Sequence, residues 1–343
     1  MNVTPKKVAL ERIPASSDEK TGNMTTNNIA LQISPYANQA KITLTLENGY
    51  FSIGQGIALC KGDQHALVAN ATALSSDNST VELTAQEDIS SSLVLRLVHN
   101  ATGAVSNCSG AMNGTIVKIK GGLNDGDEVK LTIGTDTATL FKIKQQFKAE
   151  VTPVTSKLDP GEDYKKFKAE GSTPPYTEST KSIAKLKTTN ATLNEPVTSG
   201  NMTFSLTGDS FEGVESVKFN INGTDISLSN STWSKDESVD YFTPNDTAKI
   251  VIEVKGDTPL KPRKFYATIK SKKDSGNIKR EIAYLDKALS HEWVYPGTVL
   301  YVPFVKVTDA GDNTYIVLQA KKGVKDKYNV TVQVLKKDGS MAT

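Results

Sequence analysis

The sequence predicts an all-β protein of tandem immunoglobulin-like β-sandwich modules with an N-terminal extension strand. Three observations lead there: apolar residues alternate with period two, Gly/Asn/Asp turns separate the alternating runs, and one block of the chain recurs without a gap. Helix-period stretches are nearly absent.

Taken in order, residues 1–28 form a polar tail with a short apolar segment at Val3, Val8, Leu10 and Ile13. A lone strand buries such side chains only by completing a sheet, its own or a neighbour's. Donation to a neighbour would join main-chain hydrogen bonds with side-chain pockets, so this segment is the candidate assembly strand. Residues 29–151 are predicted as the first sandwich module, with strands at 41–46, 93–98, 115–119 and 129–133. Residues 152–189 are rich in Pro, Lys, Ser and Thr, and Asp159-Pro160-Gly161 and Pro174-Pro175 break regular structure, which predicts a linker. Residues 190–286 are the second module, with a strand at 249–254. Residues 287–343 are a short C-terminal β unit holding Trp293, Tyr295, Tyr301 and Phe304 and closing with strands at 314–318 and 328–334. Its lysines (Lys321, Lys322, Lys325, Lys327, Lys336, Lys337) blunt that hairpin against edge pairing.

The repeat joins the modules. Ile42, Leu44, Leu46, Phe51, Ile57 and Leu59 correspond at constant offset to Met202, Phe204, Leu206, Phe211, Val217 and Phe219. A second block aligns Val81, Leu93, Leu95 and Leu97 with Val239, Ile250, Ile252 and Val254 at a slightly smaller offset, as a short loop deletion would produce.

Composition narrows the function. Hydrophobic residues make up 37% of the 343, and 40 basic residues against 38 acidic leave a net charge of +2. That balance gives nucleic acid and anionic membranes no electrostatic hold. No apolar run reaches the roughly 18 residues a membrane span needs. The first 28 residues lack a signal peptide's apolar core, so an exported chain starting here would have lost its leader.

Asparagine usage points outside the cell. The acceptor triplet Asn-x-Ser/Thr occurs at Asn2, Asn23, Asn70, Asn78, Asn100, Asn107, Asn113, Asn190, Asn201, Asn222, Asn230, Asn245 and Asn329. Those are 13 of 22 asparagines, where about four are expected by chance at this Ser and Thr content. Several fall at turns, where a glycan would face water. Two cysteines, Cys60 and Cys108, lie in the first module. In an oxidising compartment they predict a disulfide closing a loop of about 50 residues, contributing about 3–4 kcal/mol.

Chemistry is sparse. His65, His99 and His291 have no metal-ligand spacing and are expected on surface loops. No nucleophile elbow, phosphate loop, dinucleotide fingerprint or zinc-protease motif occurs, so no catalytic residue, metal site or cofactor is assigned. Loop carboxylates cluster at Asp125, Asp127 and Glu128, at Asp159, Glu162 and Asp163, and at Asp309 and Asp312. Calcium takes such oxygens, but none follows the twelve-residue calcium loop, and solvated turns account for them.

The strand blocks at 42–59 and 202–219, the closing stretch from Tyr301-Val302-Pro303-Phe304 through Val334 and the many acceptor triplets resemble the subunits of prokaryotic surface layers and extracellular filaments. The resemblance implies self-assembly at the cell surface, with copies of the chain as partners and no enzymatic activity. The alternative expectation is a monomeric adhesin or carbohydrate-binding protein using Trp293, Tyr295, Tyr301 and Phe304.

Overall fold

A computed structural model describes residues 1, 3–27, 29–52, 56–61, 66–100, 108, 115–296, 334–335 and 341–342. The first module holds β1 (Lys6–Ala9), β2 (Met24–Thr25), β3 (Ile29–Leu31), β4 (Lys41–Glu47), β5 (Gly49–Phe51) and β6 (Gly56–Lys61). It continues with β7 (Leu67–Leu74), β8 (Thr80–Ala85), β9 (Leu95–Asn100), β10 (Ile116–Ile119), β11 (Glu128–Ile133) and β12 (Asp136–Lys144). The second holds β13 (Phe147–Thr152), β14 (Val154–Lys157), β15 (Tyr176–Thr177), β16 (Lys181–Asn190), β17 (Asn201–Gly208) and β18 (Val214–Ile221). It ends with β19 (Thr224–Ser227), β20 (Ser234–Ser238), β21 (Asn245–Val254), β22 (Arg263–Ser271) and β23 (Ala283–Val294). A last pair joins β24 (Val334–Leu335) to β25 (Met341–Ala342).

The alternation that predicts strands also faces them. β4 buries Ile42, Leu44 and Leu46 and exposes Lys41, Thr43, Thr45 and Glu47, and β21 buries Ala248, Ile250, Ile252 and Val254. Period-two placement leaves one apolar face per strand, and paired layers enclose it.

In the second module one layer runs β13-β16-β21-β18-β19, with β15 also pairing β16, and the other β14-β23-β22-β17-β20. The first module repeats both orders in one ladder, β1-β12-β11-β4-β8-β7-β6-β9-β3, because β8 pairs β7 and joins the layers at one margin. Thus β1, β12, β11, β4 and β8 answer to β14, β23, β22, β17 and β20, and β3, β9, β6 and β7 answer to β16, β21, β18 and β19. Among the described residues each module has one parallel ladder, β1 with β12 and β14 with β23, and its other ladders are antiparallel. The three-stranded sheet β2-β10-β5 is peculiar to the first module among the described residues.

The register supports the first repeat block and corrects the second. Leu46 faces Leu131 as Leu206 faces Ala267. Leu59 faces Leu97 as Phe219 faces Ile250, so the counterpart of Leu97 is Ile250, four residues before Val254. Likewise Val81, opposite Leu44, answers to Lys235, opposite Phe204, and not to Val239. β20 reads Ser-Lys-Asp-Glu-Ser and offers no apolar face on which to align.

Segment 152–189 is no linker: it carries β14, β15 and most of β16, and buries Leu158, Phe167, Ile183 and Leu186. β23 crosses the 286/287 boundary and places Trp293 in the second module's core. The expected tail of residues 1–28 contains β1, β2 and a 3-10 turn over Leu10–Arg12, with Val8, Leu10 and Ile13 in the first core.

The same tripeptide leads into the parallel strand of each module. Val151 and Thr152 close β13, on β16, and Pro153 separates it from β14, on β23. Val3-Thr4-Pro5 precedes β1, whose Lys6 faces Phe141 as Val154 faces His291. Proline has no N–H to give a ladder, so at Pro153 the chain leaves one sheet and enters the other, and at Pro5 the ladder of β1 begins.

Candidate functional site

The N-terminal segment clasps the joint between the modules. β12 runs into β13 through Gln145 and Gln146 alone. Beside that passage β1 lies parallel to β12, from Lys6 opposite Phe141 to Ala9 opposite Lys144. Val8 and Ile13 are fully buried in the first core, Val3 packs partly buried at its margin, and Ala9 belongs to the second core. The other edge of β1 is covered too. The Lys7 carbonyl accepts from the Asn194 and Glu195 N–H groups, both at 3.0 Å, and the Ala9 N–H donates to the Glu195 carbonyl at 3.0 Å. Arg12 pairs with Glu195 at 2.9 Å.

Glu11 sits at the centre of the clasp with no exposed surface. Its carboxylate accepts the Gln146 N–H at 3.1 and 3.2 Å and the Phe147 N–H at 3.4 Å. Its carbonyl accepts the Lys279 N–H at 2.7 Å, and Arg280 donates across the joint to the Leu123 carbonyl at 2.8 Å. Burial raises the Glu11 carboxyl above its ordinary value, and the N–H donors oppose that rise. The neighbouring Tyr284 hydroxyl is raised by burial and by the Glu11 charge.

The candidate assembly strand therefore pairs in cis, on both edges, and the expectation of donation to a neighbour is corrected. The reason is the repeat: β1 takes the place in the first module that β14 takes in the second.

The acceptor asparagines spread over different surroundings. Asn23, Asn201, Asn222 and Asn230 are exposed, and Asn222 with Gly223 forms the β18–β19 turn at positive φ, 52° and 79°. Asn78 lies half-buried in the β7–β8 turn at φ 63°. The Asn245 Oδ1 accepts the Thr247 N–H and hydroxyl at 2.7 and 2.9 Å. Asn70 is half-buried in β7. Asn190 is engaged at the joint, accepting from the Gln146 side chain at 3.0 Å and donating to the Phe242 carbonyl at 3.3 Å. Asn100 ends β9, and Asn2, Asn107, Asn113 and Asn329 lie outside the described residues.

Cys60 and Cys108 are joined in a disulfide, with Cα atoms 6.1 Å apart and a sequence separation of 48. Both are buried, beside Ala58 and Val98.

The aromatic cluster dissolves into separate roles. Trp293 is 1% exposed and packs on Phe167 and Phe265 at 5.0 and 4.8 Å, with the Arg263 guanidinium over its ring. It is a core residue and not a sugar platform. Tyr295 is exposed and meets Tyr164 edge-on, while Tyr301 and Phe304 lie outside the described residues. His291, expected on the surface, is fully buried. Its Nε2–H faces the Ser182 and Ile250 carbonyls at 3.1 and 3.2 Å, and burial pulls its pKa down to about 4. His65 lies outside the described residues, and His99 lies in β9.

The described loop carboxylates engage local partners, and Asp309 and Asp312 lie outside the described residues. Asp127 accepts the Asn124 N–H, Asp125 the Gln145 N–H and Asp159 the Gly161 N–H, while Glu128 pairs with Lys142 and Glu162 with Lys166. Among the described residues no three His, Cys, Asp or Glu side chains converge to hold a metal, and no helix is long and apolar enough to cross a membrane. A hollow of about 380 Å³ opens at the joint between Gln146, Asn190, Leu193, Pro196 and Pro244, with no titratable side chain in its lining.

These features define a class: a disulfide-bonded, all-β protein of two equivalent sandwich modules joined by its own N-terminal segment. No family model and no curated protein matches the chain. Among solved structures it is similar to the C-terminal domain of the Streptococcus agalactiae AgI/II polypeptide BspA, at 11% identity and a TM-score of 0.31, over 73% of this chain and 84% of that one. It also matches a structure described as manganese lipoxygenase of Gaeumannomyces graminis with partial zonadhesin of Komagataella pastoris. There the identity is 9% and the TM-score 0.18, over 79% of this chain and 86% of that one. Superpositions this loose leave the functional reading to the chain's own geometry.

Proposed function

We propose that the chain is a non-catalytic structural subunit that works outside the cell, carries N-glycans on its exposed loops and associates head to tail with its own copies into a filament or surface lattice. The observation carrying this is the sense of the stacking. The first module offers the joint the C-terminal end of β12, and the second offers the N-terminal end of β23, the counterpart of β12. Opposite ends of equivalent units meet. Such a heterologous contact, repeated between chains, generates open fibres where its rotation does not close a ring. The disulfide and the excess of acceptor triplets support an oxidising, extracytoplasmic setting. Negative-stain microscopy of native material tests the reading. Fibres or sheets are expected; a monodisperse monomer in native conditions would sink it. Intact mass before and after deglycosylation checks the glycans, and a mass equal to that of the bare chain rejects them.

A further inference from the structure

Gln146 anchors the loop that follows β16. Its N–H goes to Glu11, and its carbonyl accepts the Ala191 N–H at 2.8 Å. Its side-chain oxygen accepts the Val197 N–H at 2.6 Å, and its side-chain nitrogen donates to Asn190 Oδ1 at 3.0 Å. Asn190 in turn donates from Nδ2 to the Phe242 carbonyl at 3.3 Å, so its amide is held at both ends. The hollow of about 380 Å³ opens at this loop, and Asn190, Ala191 and Thr192 form part of its wall. Those three residues are an acceptor triplet, half-buried at the asparagine and exposed at Ala191 and Thr192.

We propose that this hollow is the seat of an N-glycan on Asn190, whose first sugar rings fill it and fasten the loop after β16 to the joint. The inference rests on the glycosylation reading above and takes one glycan off the exposed loops into the structure. Three arguments choose the occupant. The first is the tether, because the acceptor asparagine itself stands in the wall. The second is the lining. Leu193, Pro196 and Pro244 offer apolar surface to the C–H face of a sugar ring, the Thr192 hydroxyl and the Gln146 amide offer hydrogen-bonding groups, and no titratable side chain intrudes. That mixture suits a neutral, polyhydroxylated ligand. The third is size: the volume lies at the low end of the roughly 300–1,000 Å³ of small-ligand sites, room for the first rings of a saccharide and not for a whole branched chain. In the modification one Nδ2–H bond of Asn190 and the C1–O bond of a lipid-diphosphate-linked saccharide break, Nδ2–C1 forms, and the proton leaves with the lipid diphosphate. The second Nδ2 hydrogen and Oδ1 are untouched, so the bonds to Phe242 and Gln146 persist and aim the sugar. Asn222, by contrast, carries its triplet on an exposed hairpin turn.

Peptide mapping of the native full-length chain, joined to hydrogen exchange, tests this. Mapping should find saccharide on Asn190. Thr192→Ala removes the acceptor triplet and leaves the Asn190 amide in place, while Thr192→Ser keeps the triplet. The Ala191 and Val197 amides, both bonded to Gln146, report how firmly the loop is held. Their exchange should speed up about tenfold in Thr192→Ala and stay unchanged in Thr192→Ser. The same Thr192→Ala substitution, in chain made by a host without the transferase, should alter nothing. An equal loss there would make Thr192 a packing residue and overturn the seat. A modified Asn190 whose loss leaves the exchange unchanged means an unseated sugar and also overturns it. A bare Asn190 beside modified Asn222 or Asn230 rejects the seat while leaving glycosylation standing; bare acceptors throughout reject both.

Discussion

The first module fills its core with aliphatic side chains such as Ile29, Leu31, Leu44, Leu59 and Ile143, ties Cys60 to Cys108 and zips its two layers together through β7 and β8. The second packs Trp293 with Phe147, Phe167, Phe204, Phe219, Phe242 and Phe265, buries a polar cluster of Ser156, Thr177, Ser182 and His291, and has no ladder between β19 and β20. Strand order is therefore shared while the means of holding the layers differ. Alternation and turn spacing specify the strands and their buried faces, and whichever apolar or covalent contacts fill the space between layers stabilise them.

Four measurements would break or sharpen that contrast. The largest effect is expected at Trp293, whose replacement by alanine removes the centre of the aromatic core and should destabilise the second module by about 3–5 kcal/mol in denaturant unfolding. A loss under about 1 kcal/mol would show that the aromatic packing is incidental. Removing the disulfide by replacing Cys60 and Cys108 with alanine should cost the first module about 3–4 kcal/mol by the chain-entropy account. The second module's transition should stay in place; a shared loss would mean that the modules unfold as one unit.

His291 gives the second module an acid response. Its folded pKa, about 4, lies below the ordinary 6.5, so the unfolded chain binds the proton first as pH falls. Stability is complete above pH 6.5 and declines as pH drops toward 4, by about 3 kcal/mol in total. His291→Gln should flatten that slope in thermal unfolding between pH 7 and 4. An unchanged slope would assign the acid response to other groups.

The sequence reveals much of this comparison, and where it fails the causes are physical. The gapless block at 42–59 and 202–219 is legible because β4, β17 and β18 each bury an alternating apolar face and β6 turns Ile57 and Leu59 to the same core. The second block slipped by four residues where the charged edge strand β20 offers nothing to align. Segment 152–189 reads as a linker by composition, yet Leu158 and Phe167 bury singly between polar turns, and β16 buries Ser182, Ile183 and Ala184 in a row, which hides its period. The clasp is less legible still. Val8 and Leu10 announce a strand but not its partner, and parallel pairing with β12 is a long-range choice that local pattern does not encode. The signal was present all the same in the tripeptide Val-Thr-Pro, which stands at residues 3–5 and again at 151–153 and marks β1 as the counterpart of β14.

Glu11 provides the smallest expected effect and sets the joint apart from both modules. Its folded pKa lies above the ordinary 4.5 because burial disfavours the charge, so the folded chain holds the proton more tightly than the unfolded chain does. Its contribution is complete below pH 4.5 and is lost as pH rises through the folded value, the reverse of the His291 dependence. Mild acid should thus tighten the clasp while it loosens the second module. Hydrogen exchange at the Lys279, Gln146 and Phe147 amides reports the clasp directly, since Glu11 accepts from all three. Their protection should rise as pH falls, after correction for the intrinsic exchange rate. Glu11→Gln keeps an acceptor for the amides, removes the charge and should erase the trend at a cost below about 1 kcal/mol. Protection that falls with acid in the native chain, in step with the second module, would mean that the joint has no stability of its own and only reports the unfolding beside it.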